Sequence, residues 1–393
     1  MALNVSDSRL PESGLVALVV LAAAAPAAVV TVAQYGRLDL THAVRLHHLD
    51  VPLAFAAVLA LTRARRRRTV AAWLAVALGG LAVAAWAAHP TWHGAEVLAR
   101  AGLGALLVGA AARAGWAWPA RAAFAGLGVV ELAWAAVQTV QRPPGPDALP
   151  GATGARGTFL ARNNLAGAAV VLGWWLLAYG VRRRSRAHLA AGAVCLAPVG
   201  FTFSRSALLG LLLAGAVVAA AAVRDPRRWL PCALAVLLGF GVTATLRADG
   251  WLTRARDVTG GVTPDAVSNG RAAGSRTALD LVRDHPLLGV GPGRYVVALE
   301  TEDPGGPADR LPVHSVPLLV AAEAGLPAAA LLVALLVLLA VRSARAGPLA
   351  LAAFLAYLPF VLLDAFPLTD AQGLVTTALW LGLLRLLAAE ERA

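Results

Sequence analysis

Arg205 stands in FTFSRSALLGLL, between two apolar runs, with only serines beside it for polarity. An arginine at membrane depth is costly and marks a function or a specific partner. The competing reading is a side chain that snorkels to the headgroups. Arg271 lies at the start of residues 270–284, a stretch that can form an amphipathic helix with Ala273, Leu281 and Val282 on its apolar side. Helix starts and guanidinium groups both favour anions, so Arg271 is a candidate anion ligand. Arg276 and Arg283 taken alone read as the solvated face of the same helix. His314 follows Leu311-Pro312-Val313 and opens an apolar helix. A neutral imidazole there can accept a proton from an attacking hydroxyl; a cap or a surface residue is the plainer reading. Glu323, nine residues on, is expected on nearly the same face, either orienting a polar partner or pairing with an arginine. Glu131 is an intramembrane carboxylate, functional by default or else a neutral carboxyl bonded to a neighbouring helix. GVGPG (289–293) resembles a phosphate-binding glycine loop only superficially, because no strand precedes it and the helix is on the wrong side.

The elements that must hold these residues follow from composition. The chain has 393 residues, 59% hydrophobic and 14% charged, with a mean hydropathy of +0.69. A soluble domain carries about a quarter charged residues. That deficit, with many apolar runs near a membrane's thickness, gives an all-α, polytopic membrane protein. The net charge is +12, and every basic residue counted is Arg, since Lys and Ile are both absent. Both have AT-rich codons, so the usage points to a GC-rich bacterial genome and makes small residues at helix contacts less telling. The arginines cluster between apolar runs, which favours a membrane over a nucleic-acid partner. Cys195 and Cys232 fall inside apolar runs and read as packed thiols, offering neither a disulfide framework nor a metal site. The loop carboxylates Glu300, Glu302, Asp303 and Asp309 show no ligand spacing, and no paired-Asp motif occurs. The chemistry expected is metal-independent and cofactor-free, with arginine in the place of a divalent cation.

Twelve spans are expected: 14–34, 49–62, 69–88, 97–115, 122–140, 164–181, 188–203, 206–223, 229–246, 325–341, 348–365 and 371–388. The run at 14–34 is too long for a signal peptide and reads as the first span. With a cytoplasmic N-terminus, every second connection is basic: RARRRR (63–68), Arg113 with Arg121, RRRSR (182–186), RDPRR (224–228) and RSAR (342–345). That alternation satisfies the positive-inside rule. It puts 35–48, 89–96, 141–163, the Ser204–Arg205 turn, the long loop 247–313 and 366–370 outside. The chain thus divides into helices one to nine (1–246), a long extracytoplasmic loop (247–313), and a loop-closing helix with helices ten to twelve (314–393). His285-Pro286 is expected to stop the amphipathic helix, and GVGPG to turn after it.

Four segments together resemble the O-antigen ligase and polymerase superfamily, in that family's order and over about a fifth of the chain. GTFLARNNLAG (157–167) is similar to its GTF signature with paired asparagines, and FTFSRSALLGLL (201–212) to its serine-arginine segment. NGRAAGSRTALDLVRDHPLLGVGPGRY (269–295) resembles its segment ending DHPLLGVGPG, and HSVPLLVAAEAGLPAAALL (314–332) its histidine-to-glutamate segment. Ser275 stands where the family usually has Trp, Ser315 where Asn is common, and Leu160-Ala161-Arg162 replaces a tighter run. The resemblance implies a GT-C-like membrane glycosyltransferase in the bacterial cytoplasmic membrane, with its active site facing outward. It implies a donor glycan on undecaprenyl pyrophosphate and a glycolipid, polysaccharide or protein acceptor. By the same resemblance Arg205 and Arg271 bind the pyrophosphate, and His314 is catalytic, as a base or as the group that positions the acceptor. Arg276, Asn163, Asn164 and Glu323 are implied substrate-binding residues. A single displacement would invert the anomeric carbon. Two alternatives stay open: a polymerase of lipid-linked units, and a twelve-span transporter or flippase. Against the transporter stand the long outer loop and the lack of visible repeats or broken helices.

Overall fold

The computed structural model describes residues 70–114, 116–141, 154–159, 161–259, 271–302 and 312–390. The expected spans 14–34 and 49–62, the RARRRR turn and much of the loops 141–163 and 247–313 lie outside them. Among the described residues every regular element is a helix. In chain order these are α1 Val70–Ala88, α2 Trp92–Ala114, α3 Trp118–Gln141, α4 Arg162–Arg183, α5 Arg186–Leu196, α6 Val199–Thr202, α7 Arg205–Arg224 and α8 Pro226–Leu246. There follow α9 Ala248–Thr259, α10 Arg271–Asp284, α11 Tyr295–Glu302, α12 Val316–Arg345, α13 Pro348–Leu363, α14 Phe366–Thr369 and α15 Ala371–Glu390.

Ten of the expected spans fall on described residues. Seven helices are long and apolar enough to cross a bilayer: α2, α3, α4, α7, α8, α12 and α15. Two shorter apolar helices lie in α1 and α13. The tenth, expected at 188–203, is split into α5 and α6 at Ala197-Pro198; proline cannot donate to the helical ladder. The protein is an all-α polytopic membrane protein, and twelve stands as an expectation.

Local chemistry fixes several helix starts. Ser204 accepts from Ala207 N (3.4 Å) at the head of α7. Asp225 Oδ1 accepts from Arg228 N (3.3 Å) at the head of α8, where Pro226 fills the first turn. Both satisfy amide hydrogens that a helix start leaves without partners. α4 is the buried centre, packed by α3, α5, α13 and α15. Trp175 sits edge-on to Trp116 and to Phe124, 5.6 Å from each ring centre.

Two of the basic turns meet at one end. Arg121 donates to His188 Nε2 (2.8 Å), Arg182 lies 2.5 Å from Glu390, and Trp116 Nε1 donates to Glu390 (2.6 Å). The turn after α2, the turn after α4 and the end of α15 therefore share a side, as the alternation of arginine clusters requires. The heads of α4, α7 and α12 and the end of α13 form the opposite end.

Candidate functional site

At that opposite end one carboxylate gathers three distant parts of the chain. Asp364 follows the last turn of α13 and is 4% exposed. Its Oδ1 lies 3.2 Å from His314 Nδ1 and accepts from Ala365 N (2.9 Å). Its Oδ2 accepts from Asn163 Nδ2 and lies 3.6 Å from an Arg271 nitrogen. Arg271 also donates to Leu363 O (2.9 Å). Burial pushes the Asp364 carboxyl up, but the His314 hydrogen bond and the Arg271 charge outweigh it and hold the group below its ordinary value. An ionised carboxylate only accepts, so the hydrogen of a neutral His314 sits on Nδ1. That leaves Nε2 with its lone pair, and the imidazole is about a quarter exposed.

Each neighbour is placed by a distinct device. Arg271 is the first residue of α10, whose Leu281 and Val282 are buried against the first half of α12. Tyr295 pins the other side of α10 by donating to Gly274 O (3.0 Å). Burial pushes the Tyr295 hydroxyl up to about 12, which keeps it a donor. Asn163 and Asn164 sit in the first turn of α4 and take one acid each. Asn164 donates to Asp370 (3.0 Å), which in turn accepts from Gly373 N (2.6 Å) at the head of α15. The asparagine pair thus staples both acids of the α13–α15 connection. Arg205 is the half-buried first residue of α7. Its helix packs along α13, where Gly210 lies so close to Ala356 that a Cβ would strike the Ala356 carbonyl.

The GTF loop enters the bundle to meet this end. Glu131, midway along α3, accepts from Thr158 N (3.0 Å) and Thr158 Oγ1 (2.5 Å). Gln138, two turns on, accepts from Gly157 N (3.0 Å) and donates to Gly157 O (2.8 Å). Ala155 N donates to Phe201 O (2.9 Å), so the first motif rests on the segment that leads to Arg205. Glu131 holds a loop, and its hydrogen bonds go to that loop in place of a neighbouring helix.

Two expected site residues lie elsewhere. Arg276 is exposed, about 140° around α10 from Arg271 at 100° per residue. Glu323 lies within α12, whereas His314 precedes that helix and Ser315 between them is extended, so the two are not on one helical face. Glu323 accepts from Tyr295 N (3.2 Å) and from Gly293 N, and so anchors the GVGPG turn.

The turn repairs a break in α12. Gly325 has φ 86°, and Pro327 has no hydrogen to give to Glu323 O. Gly291 N supplies that bond (2.9 Å), Val290 N bonds Ala322 O (2.9 Å), and Leu326 N turns to Pro286 O (2.8 Å). Three backbone groups at the break thus find partners outside the helix, as a low-dielectric setting demands. These amides are spent on the helix and do not form a phosphate cradle. α12 is nevertheless a broken helix, which the sequence reading did not find.

Sequence reasoning also missed Asp364. Its signal was present: Asp364 and Asp370 are the sole acids between Glu323 and Glu390, and both flank the short turn after α13.

Residues 196–333 match the family model described as O-Antigen ligase. The match spans the second, third and fourth motifs and supports the O-antigen ligase and polymerase superfamily. Asn163 and Asp364 fall outside it. Comparison with curated proteins gives no match.

Proposed function

We propose that this chain, with its O-antigen ligase-type stretch at 196–333, moves a glycan from undecaprenyl pyrophosphate to an acceptor hydroxyl at the outer face of the bacterial cytoplasmic membrane. The observation that carries the reading is the Asp364 cluster, which joins a histidine, an arginine and an asparagine from three of the four motifs. His314 Nε2 takes the acceptor proton while the acceptor oxygen forms its bond to the anomeric carbon. The bond from that carbon to the pyrophosphate oxygen breaks, and the diphosphate leaves with the electron pair. Asp364 holds the imidazole's tautomer and stabilises the imidazolium as it forms.

Arg271 rests on Asp364 and Leu363 O; a donor phosphate offers it a stronger, bidentate partner. Arg205 and Arg271 then neutralise charge on the leaving group, lowering the barrier. Single displacement inverts the anomeric carbon. The broken α12 is a feature a transporter would share, but here the GVGPG turn takes the carbonyls of Ala322 and Glu323, and Leu326 N bonds Pro286 O.

The test is transfer by purified protein in liposomes, with lipid-pyrophosphate glycan donor and EDTA present. Activity that survives EDTA and is lost in Arg205→Ala, Arg271→Ala and His314→Ala supports the reading. A product ladder identifies a polymerase and a single transfer identifies a ligase. Labelled lipid that crosses the bilayer with no transfer would replace this reading with transport.

A further inference from the structure

Thr243, Arg247 and Trp251, four residues apart across the α8–α9 junction, grip the segment that leads to Arg205. Thr243 Oγ1 donates to Ala197 O (2.6 Å) and Trp251 Nε1 to Gly200 O (2.9 Å). The Arg247 guanidinium lies 5.0 Å from the centre of the Phe203 ring. Phe203 has φ 52° and ψ 31°, a left-handed conformation that side chains other than glycine hold only where their surroundings enforce it. Here the surroundings are visible. Trp251 meets the ring edge-on at 5.6 Å, and Gly250 leaves the space the ring fills. Two residues later Arg205 begins α7.

Arg247 is an unusual choice for a clamp. Its side chain is 9% exposed, and its Nη1 is buried with no hydrogen-bond partner among the described residues. The acid paired with it among the described residues, Asp249, is 3.7 Å from Nε and 64% exposed. A buried charge so weakly paired is costly, and an apolar side chain would pack the ring at less cost. The same burial makes the charge act strongly on any anion nearby.

We infer that Arg247 is a positioning residue of the donor site: it holds Phe203 so that the elbow presents Arg205, and its charge strengthens that elbow's hold on a lipid-linked diphosphate. This rests on the donor reading above. The test uses the full chain in detergent, with undecaprenyl diphosphate as the binding probe, beside donor kinetics. Arg247→Met is expected to weaken binding and raise donor KM about ten-fold, with kcat at saturating donor within about two-fold. Arg247→Lys should recover part of the loss, because it restores charge without the planar stack. Phe203→Gly keeps the turn without the ring and should raise KM likewise. In an Arg205→Met background, Arg247→Met should cost clearly less than it does alone, since its positioning effect passes through Arg205 and only the pull of its own charge is left to lose.

Wild-type binding in Arg247→Met or Phe203→Gly, or losses that multiply independently in the double variant, would overturn the inference. Wild type that binds the diphosphate without transferring glycan removes the glycosyltransferase reading, and the binding series still decides the role of Arg247. Wild type that binds no lipid diphosphate overturns both.

Discussion

Asn163 and Asn164 are neighbours with different jobs, because successive helical residues point about 100° apart. One holds Asp364, the acid that touches His314; the other holds Asp370, which caps α15. Asn163→Ala should therefore lower kcat, by about ten-fold, with little change in melting temperature. Asn164→Ala should lower the melting temperature, because it removes a donor from a buried carboxylate. Initial transfer rates and thermal unfolding in detergent separate the two. Burial pushes Asp370 up to about 6, against the hydrogen bonds from Gly373 and Asn164. A carboxyl raised by folding binds its proton more tightly in the folded state, so the stability it contributes is present below its unfolded value near 4 and is lost as pH rises through 6. Thermal stability should fall across that window, and Asp370→Asn should flatten the decline. The asparagine pair was legible only through resemblance, and there as substrate-binding residues. Nothing in the spacing tells that two acids about 200 residues away lie opposite them.

At the level of elements, the amphipathic helix, its stop at His285-Pro286 and the turn at GVGPG all appear in the structure where their residue patterns place them. The break in α12 was harder to see, because the apolar run continues through Gly325-Leu326-Pro327 and hydropathy does not register a lost hydrogen bond. The two features make one unit. Gly289 (φ 64°) lies so close to α12 that a Cβ would sit 2.5 Å from Ala322 O. Gly289→Ala should cost about 2 kcal/mol or more through backbone strain and a forced separation of turn and helix. The expected readout is a lower melting temperature together with loss of transfer, since the same unit seats α10 and His314. Small residues were discounted for codon bias, and the structure sorts them. Gly210 on Ala356 and Gly239 on Ala193 are close helix contacts, whereas Gly79, Gly102 and Gly215 have nothing within 4 Å among the described residues. Composition alone does not distinguish the two groups.

For the whole molecule, alternation of arginine turns predicts the sidedness, and the turns after α2 and α4 share an end with Glu390. Cys195 and Cys232 are buried, 1% and 0% exposed, so introduced cysteines can report orientation. A membrane-impermeant maleimide should label His285→Cys in intact cells, and Arg227→Cys only after the membrane is opened; the reverse pattern would place the site inside. Fold class was legible because hydropathy and arginine placement are local signals. The site was legible in part, since Arg271 and His314 carry motifs, while Asp364 is a single letter whose meaning depends on three-dimensional closure of α13 onto α4 and α12. The most direct measurement is single-turnover transfer from a saturating lipid-pyrophosphate donor by Asp364→Asn. An amide at that position keeps the volume but removes the charge that fixes His314 and balances Arg271. The transfer rate is expected to fall about a hundred-fold or more with donor still bound. A rate near that of wild type would contradict that expectation, and would move the chemistry away from this carboxylate.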